Sequence, residues 1–265
     1  MPLSSSHSIP QPAAHAAWRV PPQDLVLSDD TVHVWRAPLA LTEVQRSVFL
    51  PLLSDDEQER FDQALCEKVK RRFLAARGML RILLGRYLGT APERLRFDYN
   101  EYGKPYLTEQ ETPLSFNVSH SGEIGLFAIA WNRDIGVDVE HQKPGSPNDR
   151  MDIARRYFSV AEYEALTTVP VFLRREAFYQ CWTRKEAFIK AKGVGMSLPL
   201  SSFDVSVSPN APPALLATRW SRSEVNCWSI HALDPGGDYA GSLVVQGTDL
   251  QVACWQWSDG EGSTH

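Results

Sequence analysis

The chain is poor in three features that would each mark a particular class of protein. It has only four cysteines in 265 residues, and no two of them have the CxxC spacing typical of a zinc site. Its formal net charge is −5, which argues against binding nucleic acid through bulk positive charge. No apolar run approaches the roughly 20 residues that a membrane helix needs. We therefore expect a protein that binds neither nucleic acid nor membrane.

The N-terminus and the cysteines favour the reducing cytoplasm. The first residues lack the basic start and the apolar stretch of a secretory signal. Cys181 and Cys254 stand in apolar surroundings, where buried free thiols are expected. A hydrophobic content of 43% is that of a globular chain. These observations predict a folded cytoplasmic protein.

Two segments of the chain have the same order of elements. In each, a capping-box pattern S-x-x-E precedes a long predicted helix that ends at glycine, and strand-like segments follow. The boxes begin at Ser54 and Ser159, 105 residues apart, and the helices are expected over 67–88 and 173–192. The repeat predicts an α+β fold of two similar lobes related by pseudo-two-fold symmetry, each a long helix packed on a mainly antiparallel sheet.

The same repeat divides the chain into segments. We expect a loose N-terminal tail over 1–21, an N-terminal lobe over 22–134, a C-terminal lobe over 135–258 and a C-terminal tail over 259–265. A strand over 31–35 is expected at the edge of the first sheet. A ligand site is expected in the cleft between the lobes.

Two segments place three carboxylates and a lysine within reach of one point. In the predicted strand 136–140, Asp138 and Glu140 share one face. In the second long helix, Glu186 and Lys190 are four residues apart and also share a face. Carboxylate oxygens are the ligands that Mg²⁺ prefers, and a nearby ammonium suits a phosphate. A half-exposed strand and a solvated ion pair would contain the same residues, so both interpretations stay open.

Five further polar residues could bind an anion. Ser119 and His120 end a predicted strand in a polar turn, Lys104 stands in a Gly-Lys-Pro turn, and Arg72 and Arg77 belong to a basic cluster on the first long helix. Their hydroxyl, imidazole, ammonium and guanidinium groups can all donate hydrogen bonds to phosphate. Residues of these types are as often ordinary turn or surface residues, and this alternative also stays open.

Taken together, these segments resemble the 4′-phosphopantetheinyl transferases, specifically the large monomeric type that activates surfactin synthetase. The matching motifs are YGKP at 102–105, FNVSHS at 116–121, IGVDVE at 135–140, WTRKEAFIK at 182–190 and GVGMSLPL at 193–200. The G-x-D-x-E and W-x-x-K-E-A-x-x-K patterns are specific at this separation, although neither is specific alone. The matching motifs span about a hundred residues.

The resemblance implies a reaction and its partners. Coenzyme A would be the donor, Mg²⁺ the metal, and a serine of an apo acyl, aryl or peptidyl carrier protein the acceptor. The serine hydroxyl would attack the β-phosphate, and adenosine 3′,5′-bisphosphate would leave. Two alternatives stay open: another Mg²⁺-dependent phosphoryl or nucleotidyl transferase with the same carboxylates, and a non-catalytic carrier-binding protein.

The resemblance also implies roles for the residues. Asp138, Glu140 and Glu186 would bind the Mg²⁺, with Glu186 also taking the serine proton, and Lys190 would stabilise charge on the bridging oxygen. Asp138 would thereby contact coenzyme A as well. The residues that would grip the phosphates are Arg72, Arg77, Lys104, Ser119 and His120.

The surface for the carrier protein is a further expectation. Residues 150–158 mix arginines with aromatic side chains, the composition of interface anchors. A basic rim there would speed encounter with an acidic carrier. An ordinary helix with a charged outer face and an aromatic inner face is the equal alternative.

Overall fold

A computed structural model of the chain describes residues 17–108 and 113–258. Most of the predicted N-terminal tail and all of the predicted C-terminal tail lie outside these residues. Within them, no helix is long and apolar enough to cross a membrane.

The described residues form α-helices and β-strands in a mixed order. The helices are α1 (Glu43–Phe49), α2 (Asp55–Asp62), α3 (Glu67–Leu88), α4 (Pro147–Tyr157), α5 (Val160–Thr168) and α6 (Arg174–Lys192). The strands are β1 (Thr31–Pro38), β2 (Phe97–Tyr99), β3 (Pro105–Leu107), β4 (Leu114–Ser121), β5 (Ile124–Trp131), β6 (Ile135–His141), β7 (Phe203–Val205), β8 (Leu215–Thr218), β9 (Trp228–Leu233), β10 (Tyr239–Gln246) and β11 (Gln251–Gln256). This order confirms the α+β class.

The two long helices end where the sequence predicts. Gly89 follows α3 and Gly193 follows α6, with φ angles of 59° and 67°. These left-handed conformations are readily available to glycine, which has no Cβ atom to clash with the preceding turn. Both predicted capping boxes also form, at the starts of α2 and α5.

A buried ion pair recurs in the two halves of the chain. Glu57 of the first capping box accepts a hydrogen bond from Arg81 of α3 at 2.7 Å. Glu162 of the second box accepts from Lys185 of α6 at 2.6 Å. All four side chains are almost fully buried. The repeat read from the sequence therefore extends to the charges that fix each long helix to the short helix before it.

The strands form two main sheets, with strand orders β11-β1-β5-β4 and β6-β10-β9. The prediction that β1 is an edge strand is wrong, because β11 pairs with it in parallel on the side opposite β5. The last strand of the described residues thus belongs to the sheet of the first half. The proposed lobe boundary at residue 134 remains a prediction.

The cores lie between these layers. α3 packs with an apolar cluster that includes Trp35, Phe127 and the C-terminal Trp257. α6 packs against β6 and β10, with Phe188 in its own cluster. Side chains from both main sheets share a third cluster, which includes Leu126 and Val137. This packing sets β4 and β6, the edge strands that carry the polar motifs, side by side.

Candidate active site

The approach of α6 to β6 depends on Gly136. A Cβ atom at this position would lie 2.1 Å from the carbonyl oxygen of Ala187 and 2.3 Å from the backbone nitrogen of Ala191. Only glycine therefore lets the helix backbone lie so close to the strand. Since Gly136 is on the same face as Asp138, this contact brings Lys190 to the strand carboxylate.

Asp138 is at the centre of a cluster of polar side chains that also contains Ser119, Glu140, Glu186 and Lys190. Its Oδ1 accepts hydrogen bonds from Ser119 Oγ at 2.8 Å and from Lys190 Nζ at 2.6 Å. The residue is 4% exposed, and its Oδ2 has no hydrogen-bond partner among the described residues. One oxygen of this carboxylate is thus fixed, and the other is available to a ligand.

The two glutamates are electrostatic neighbours of Asp138. Burial raises the pKa of Glu140 and of Glu186, and the charge of Asp138 raises the pKa of both further. The charge of Lys190 lowers both pKa values, and the charge of Lys143 also lowers that of Glu140, so three acidic groups share two nearby ammonium groups. In the described residues, no three His, Cys, Asp or Glu side chains converge at the distances of metal ligands. The unpartnered oxygen and the excess of negative charge nevertheless fit the binding of a hard cation.

Ser119 is fully engaged within this cluster. Its hydroxyl donates to Asp138 and accepts hydrogen bonds from Lys190 Nζ at 2.8 Å and from the backbone N–H of Val139 at 3.3 Å. A hydroxyl has one hydrogen to donate, and that hydrogen points to Asp138. The predicted grip of Ser119 on a phosphate has no support in this arrangement and remains a prediction.

Lys104 lies at the cluster's edge but is bonded elsewhere. Its Nζ donates to the carbonyl oxygens of Ile135 at 3.1 Å and Ala191 at 3.0 Å. Asn100 fixes the same turn, because its Oδ1 accepts from the backbone N–H of Lys104 and its Nδ2 donates to the carbonyl of Gly193. Burial lowers the pKa of Lys104, and the charge of Asp134 partly offsets this effect. The ammonium thus caps the end of α6 across the cleft.

His120 and Arg72 lie close enough to interact electrostatically, whereas Arg77 has different partners. Desolvation lowers the pKa of His120, although its ring reaches the surface, and the charges of Lys190 and Arg72 lower it further. Arg77 instead pairs with Glu57 at 3.3 Å and donates to Tyr99 Oη at 3.1 Å. Five residues advance a helix by about 140°, so two arginines at this spacing point in different directions.

A cavity of about 790 Å³ opens beside the cluster. Glu186 and Lys190 line it on one side, and Arg156 and Tyr157 line it on another. Phe158 does not belong to this surface, since it is 4% exposed and stacks on Phe178 in the core. The mixed arginine and aromatic segment is thus divided between the cavity wall and the core.

The charged neighbours of Glu186 are not a solvated face. Arg184 and Lys185 are 2% and 0% exposed. Arg184 donates to the carbonyl oxygen of Ser206, and Lys185 to Glu162. The motif therefore combines two buried structural cations with four residues that line the cavity, Trp182, Glu186, Ile189 and Lys190.

Comparison with known proteins agrees with this geometry. The model of the 4′-phosphopantetheinyl transferase superfamily matches residues 134–244, and that of the 4′-phosphopantetheinyl transferase N-terminal region matches residues 41–131. The chain is 36% identical over 242 residues to the 4′-phosphopantetheinyl transferase HetI of Nostoc sp., and the match covers 91% of this chain and 98% of that one. The chain belongs to the 4′-phosphopantetheinyl transferase superfamily.

A second relative defines the type. The 4′-phosphopantetheinyl transferase Sfp of Bacillus subtilis is 34% identical over 168 residues, covering 63% of this chain and 71% of that protein. The expectation of a 4′-phosphopantetheinyl transferase of this type is therefore confirmed, and the enzyme's activity is the transfer of phosphopantetheine from coenzyme A to a carrier protein.

Some contacts of the transferase's site could not be predicted from the motifs. The sequence shows that Gly136 leaves room on the carboxylate face, but not that a helix backbone fills this room. The FNVSHS motif at 116–121 contains Asn117 and Ser121 but does not by itself indicate a role for either. Their spacing around Ser119, with a period of two, places all three on one face of β4 and could have indicated a shared role.

Proposed function

We propose that the transferase moves the 4′-phosphopantetheine arm of coenzyme A to a serine of an apo acyl, aryl or peptidyl carrier protein, with Mg²⁺ bound, and releases adenosine 3′,5′-bisphosphate. The observation that carries this proposal is the buried Oδ2 atom of Asp138, which has no partner among the described residues. The carboxylate of Asp138 also interacts electrostatically with those of Glu140 and Glu186. A pyrophosphate could not approach these carboxylates without a cation between them.

Asp138, Glu140 and Glu186 are the residues that would hold the ion. When bound, Mg²⁺ would supply positive charge to the pyrophosphate oxygens and help to hold them in line. Asp138 is held for this task by Ser119 and Lys190, which occupy its other oxygen. Membership of the family supports coenzyme A as the donor, whereas Mg²⁺ is inferred from the three carboxylates.

The chain's side chains would handle the proton and the leaving group. Glu186 lines the cavity and carries a raised pKa, so it is suited to accept the proton of the attacking serine hydroxyl. The serine oxygen forms a bond to the β-phosphorus while the bond from this phosphorus to the bridging oxygen breaks. Lys190, also on the cavity wall, would stabilise the charge that develops on the departing bridging oxygen.

Three side chains, those of Arg72, Lys104 and His120, would bind the phosphates of coenzyme A. Arg72 supplies positive charge near His120 and also pairs with Glu123 at 2.8 Å. The lowered pKa of His120 favours its neutral ring, which can donate one hydrogen bond. Lys104 would have to leave the carbonyls of Ile135 and Ala191 in order to contact a phosphate. Ser119, Arg72 and Arg77 would have to give up or share present contacts, with Asp138, Glu123 and Glu57 respectively, in order to bind a phosphate.

A cytoplasmic monomer remains part of the proposal. All four cysteines in the described residues are free thiols, and two of them are buried. These free thiols are in keeping with a reducing compartment.

The proposal is tested by the mass of the acceptor. An apo carrier protein is incubated with the enzyme, coenzyme A and Mg²⁺ and then measured by intact mass spectrometry. We expect the carrier to gain one phosphopantetheine group, and a carrier with its acceptor serine replaced by alanine to gain nothing. An unchanged wild-type carrier over a range of enzyme concentrations would contradict the proposal and favour a non-catalytic carrier-binding role.

A further inference from the structure

The two main sheets meet at strands that do not form a backbone ladder with each other. β4 is the last strand of one sheet and β6 the last strand of the other. β6 pairs with β10 on one side only, so alternate N–H groups of β6 face away from its own sheet. Unpaired backbone donors in such a position need acceptors from elsewhere.

Side chains at three alternate positions of β4 supply these acceptors. Asn117 Oδ1 accepts from the N–H of Val137 at 2.9 Å, Ser119 Oγ from Val139 at 3.3 Å and Ser121 Oγ from His141 at 3.1 Å. In each rung the donor is 20 residues after the acceptor, so the two strands run in the same direction. We call Asn117, Ser119 and Ser121 the seam.

The two serines of the seam also contact the carboxylates. Ser119 donates its hydrogen to Asp138 at 2.8 Å, and Ser121 donates to Glu140 Oε2 at 2.9 Å. Because each hydroxyl oxygen accepts a backbone N–H, the direction of its single hydrogen is restricted. Each serine therefore joins the sheets and orients one carboxylate at the same time.

From this geometry we propose that Ser121 is a positioning residue, which fixes Glu140 for metal binding through a bond that depends on the seam. The inference rests on the proposed function, since it concerns the metal site. Ser121 acts through Glu140, and Asn117 completes the seam at the end farther from the turn. Groups that orient metal ligands commonly affect metal affinity by about 10- to 100-fold.

The test compares Ser121→Ala, Ser121→Thr and a matched control, Ser115→Ala. Ser115 lies on the same face of β4, two residues before the seam begins. Threonine keeps the hydroxyl and suits a strand, so it should restore what alanine loses. The first readout is the Mg²⁺ concentration that gives half-maximal carrier loading at saturating coenzyme A. Loss of fold stability alone would lower the amount of active enzyme without shifting this concentration.

We expect Ser121→Ala to raise the half-maximal Mg²⁺ concentration roughly tenfold. Ser121→Thr and Ser115→Ala should stay within about twofold of the wild type. An unchanged Mg²⁺ dependence in Ser121→Ala would overturn the proposal. An equal shift in Ser115→Ala would also overturn it, since the effect would then not depend on contact with Glu140.

The second readout is independent of activity. Amide hydrogen exchange of the enzyme, measured by NMR without coenzyme A, metal or carrier, reports the seam directly. Ser121→Ala should speed exchange at the amide of His141 roughly tenfold and leave the amide of Val137 unchanged, because Asn117 still accepts from Val137. Equal exchange at His141 in the two proteins would show that the seam does not form. The two proposals can fail separately. If Ser121→Ala speeds exchange at His141 as expected but the wild-type enzyme loads no carrier, the proposed function is disproved and the seam is not.

Discussion

At the scale of single residues, the cluster contains polar groups whose hydrogen bonds are satisfied by neighbours and others that can still bind a ligand. Ser119 and one oxygen of Asp138 are satisfied by neighbours, whereas Asp138 Oδ2 has no partner in the described ranges. Lys190 is bonded to both residues, yet its side chain remains 29% exposed on the cavity wall. This difference indicates which residues can act on a substrate and which residues position others.

Lys190 is expected to act on the transition state more than on substrate binding. Its ammonium is close to the proposed reaction centre, where negative charge grows as the pyrophosphate bond breaks. Lys190→Ala should lower kcat by roughly a hundredfold, with a smaller effect on the KM for coenzyme A. Steady-state kinetics with a saturating carrier measure both constants. A raised KM with unchanged kcat would show that Lys190 is a binding residue.

Lys104 could bind a phosphate of coenzyme A or could only cap the end of α6, and a substitution tests which role it has. If Lys104 grips coenzyme A, Lys104→Ala weakens binding, and discrimination against dephospho-coenzyme A falls if it contacts the 3′-phosphate. His120→Ala is the comparison, because His120 is an electrostatic neighbour of Lys190 and Arg72 and does not share the carbonyl contacts of Lys104. Calorimetry with both ligands measures the affinities. Unchanged affinities in Lys104→Ala, with a lower melting temperature, would assign Lys104 to structure alone.

At the scale of elements, the long helices and the carboxylate strand could be predicted from the sequence, because their signals are local. Apolar periodicity and terminal glycines mark α3 and α6, and a capping box marks the short helix before each of them. The parallel pairing of β1 with β11 could not be predicted, since it joins residues about 220 positions apart and leaves no local pattern. The burial of Lys185 could not be predicted from the sequence either, because Glu162, the carboxylate that pairs with it, belongs to another helix.

The contact between β6 and α6 gives a prediction at this scale. Gly136→Ala should destabilise the fold by about 3 kcal/mol, since the added Cβ atom meets backbone atoms that cannot rotate away. It should also reduce carrier loading strongly, because α6 carries Glu186 and Lys190. Gly145→Ala is the control, as the nearest atom to its added Cβ would lie 3.6 Å away. Chemical denaturation measures stability, and equal values for the two variants would contradict the role of Gly136.

At the scale of the whole molecule, the site lies where the two main sheets and both halves of the chain meet. The carboxylates and Lys190 come from β6 and α6, while Arg72, Lys104 and His120 come from the first half of the chain. The cavity of about 790 Å³ connects this cluster to the wall formed by α4. In a chain of net charge −5, Arg156 gives this wall a local positive charge.

The wall of α4 is the expected contact for an acidic carrier protein. Arg156 lines the cavity and its guanidinium lies 5.2 Å from the ring centre of Tyr157. Arg155 is also exposed and adjacent in sequence but is not part of the lining, so it provides a matched control. Arg156→Glu should slow loading about tenfold at low salt and reduce its salt dependence, with coenzyme A affinity unchanged. Wild-type rates for Arg156→Glu at every ionic strength would place the carrier elsewhere, whereas equal losses in Arg155→Glu would extend the contact surface to Arg155.

The single-turnover rate of carrier loading in carboxylate variants at saturating Mg²⁺ tests the metal site most directly. We expect Asp138→Ala and Glu186→Ala each to lose roughly a hundredfold or more in rate while keeping wild-type circular dichroism, and Glu140→Ala to lose less. Ser115→Ala should load the carrier at the wild-type rate. Wild-type rates in folded Asp138→Ala and Glu186→Ala would contradict the assignment of these carboxylates to the metal and to catalysis.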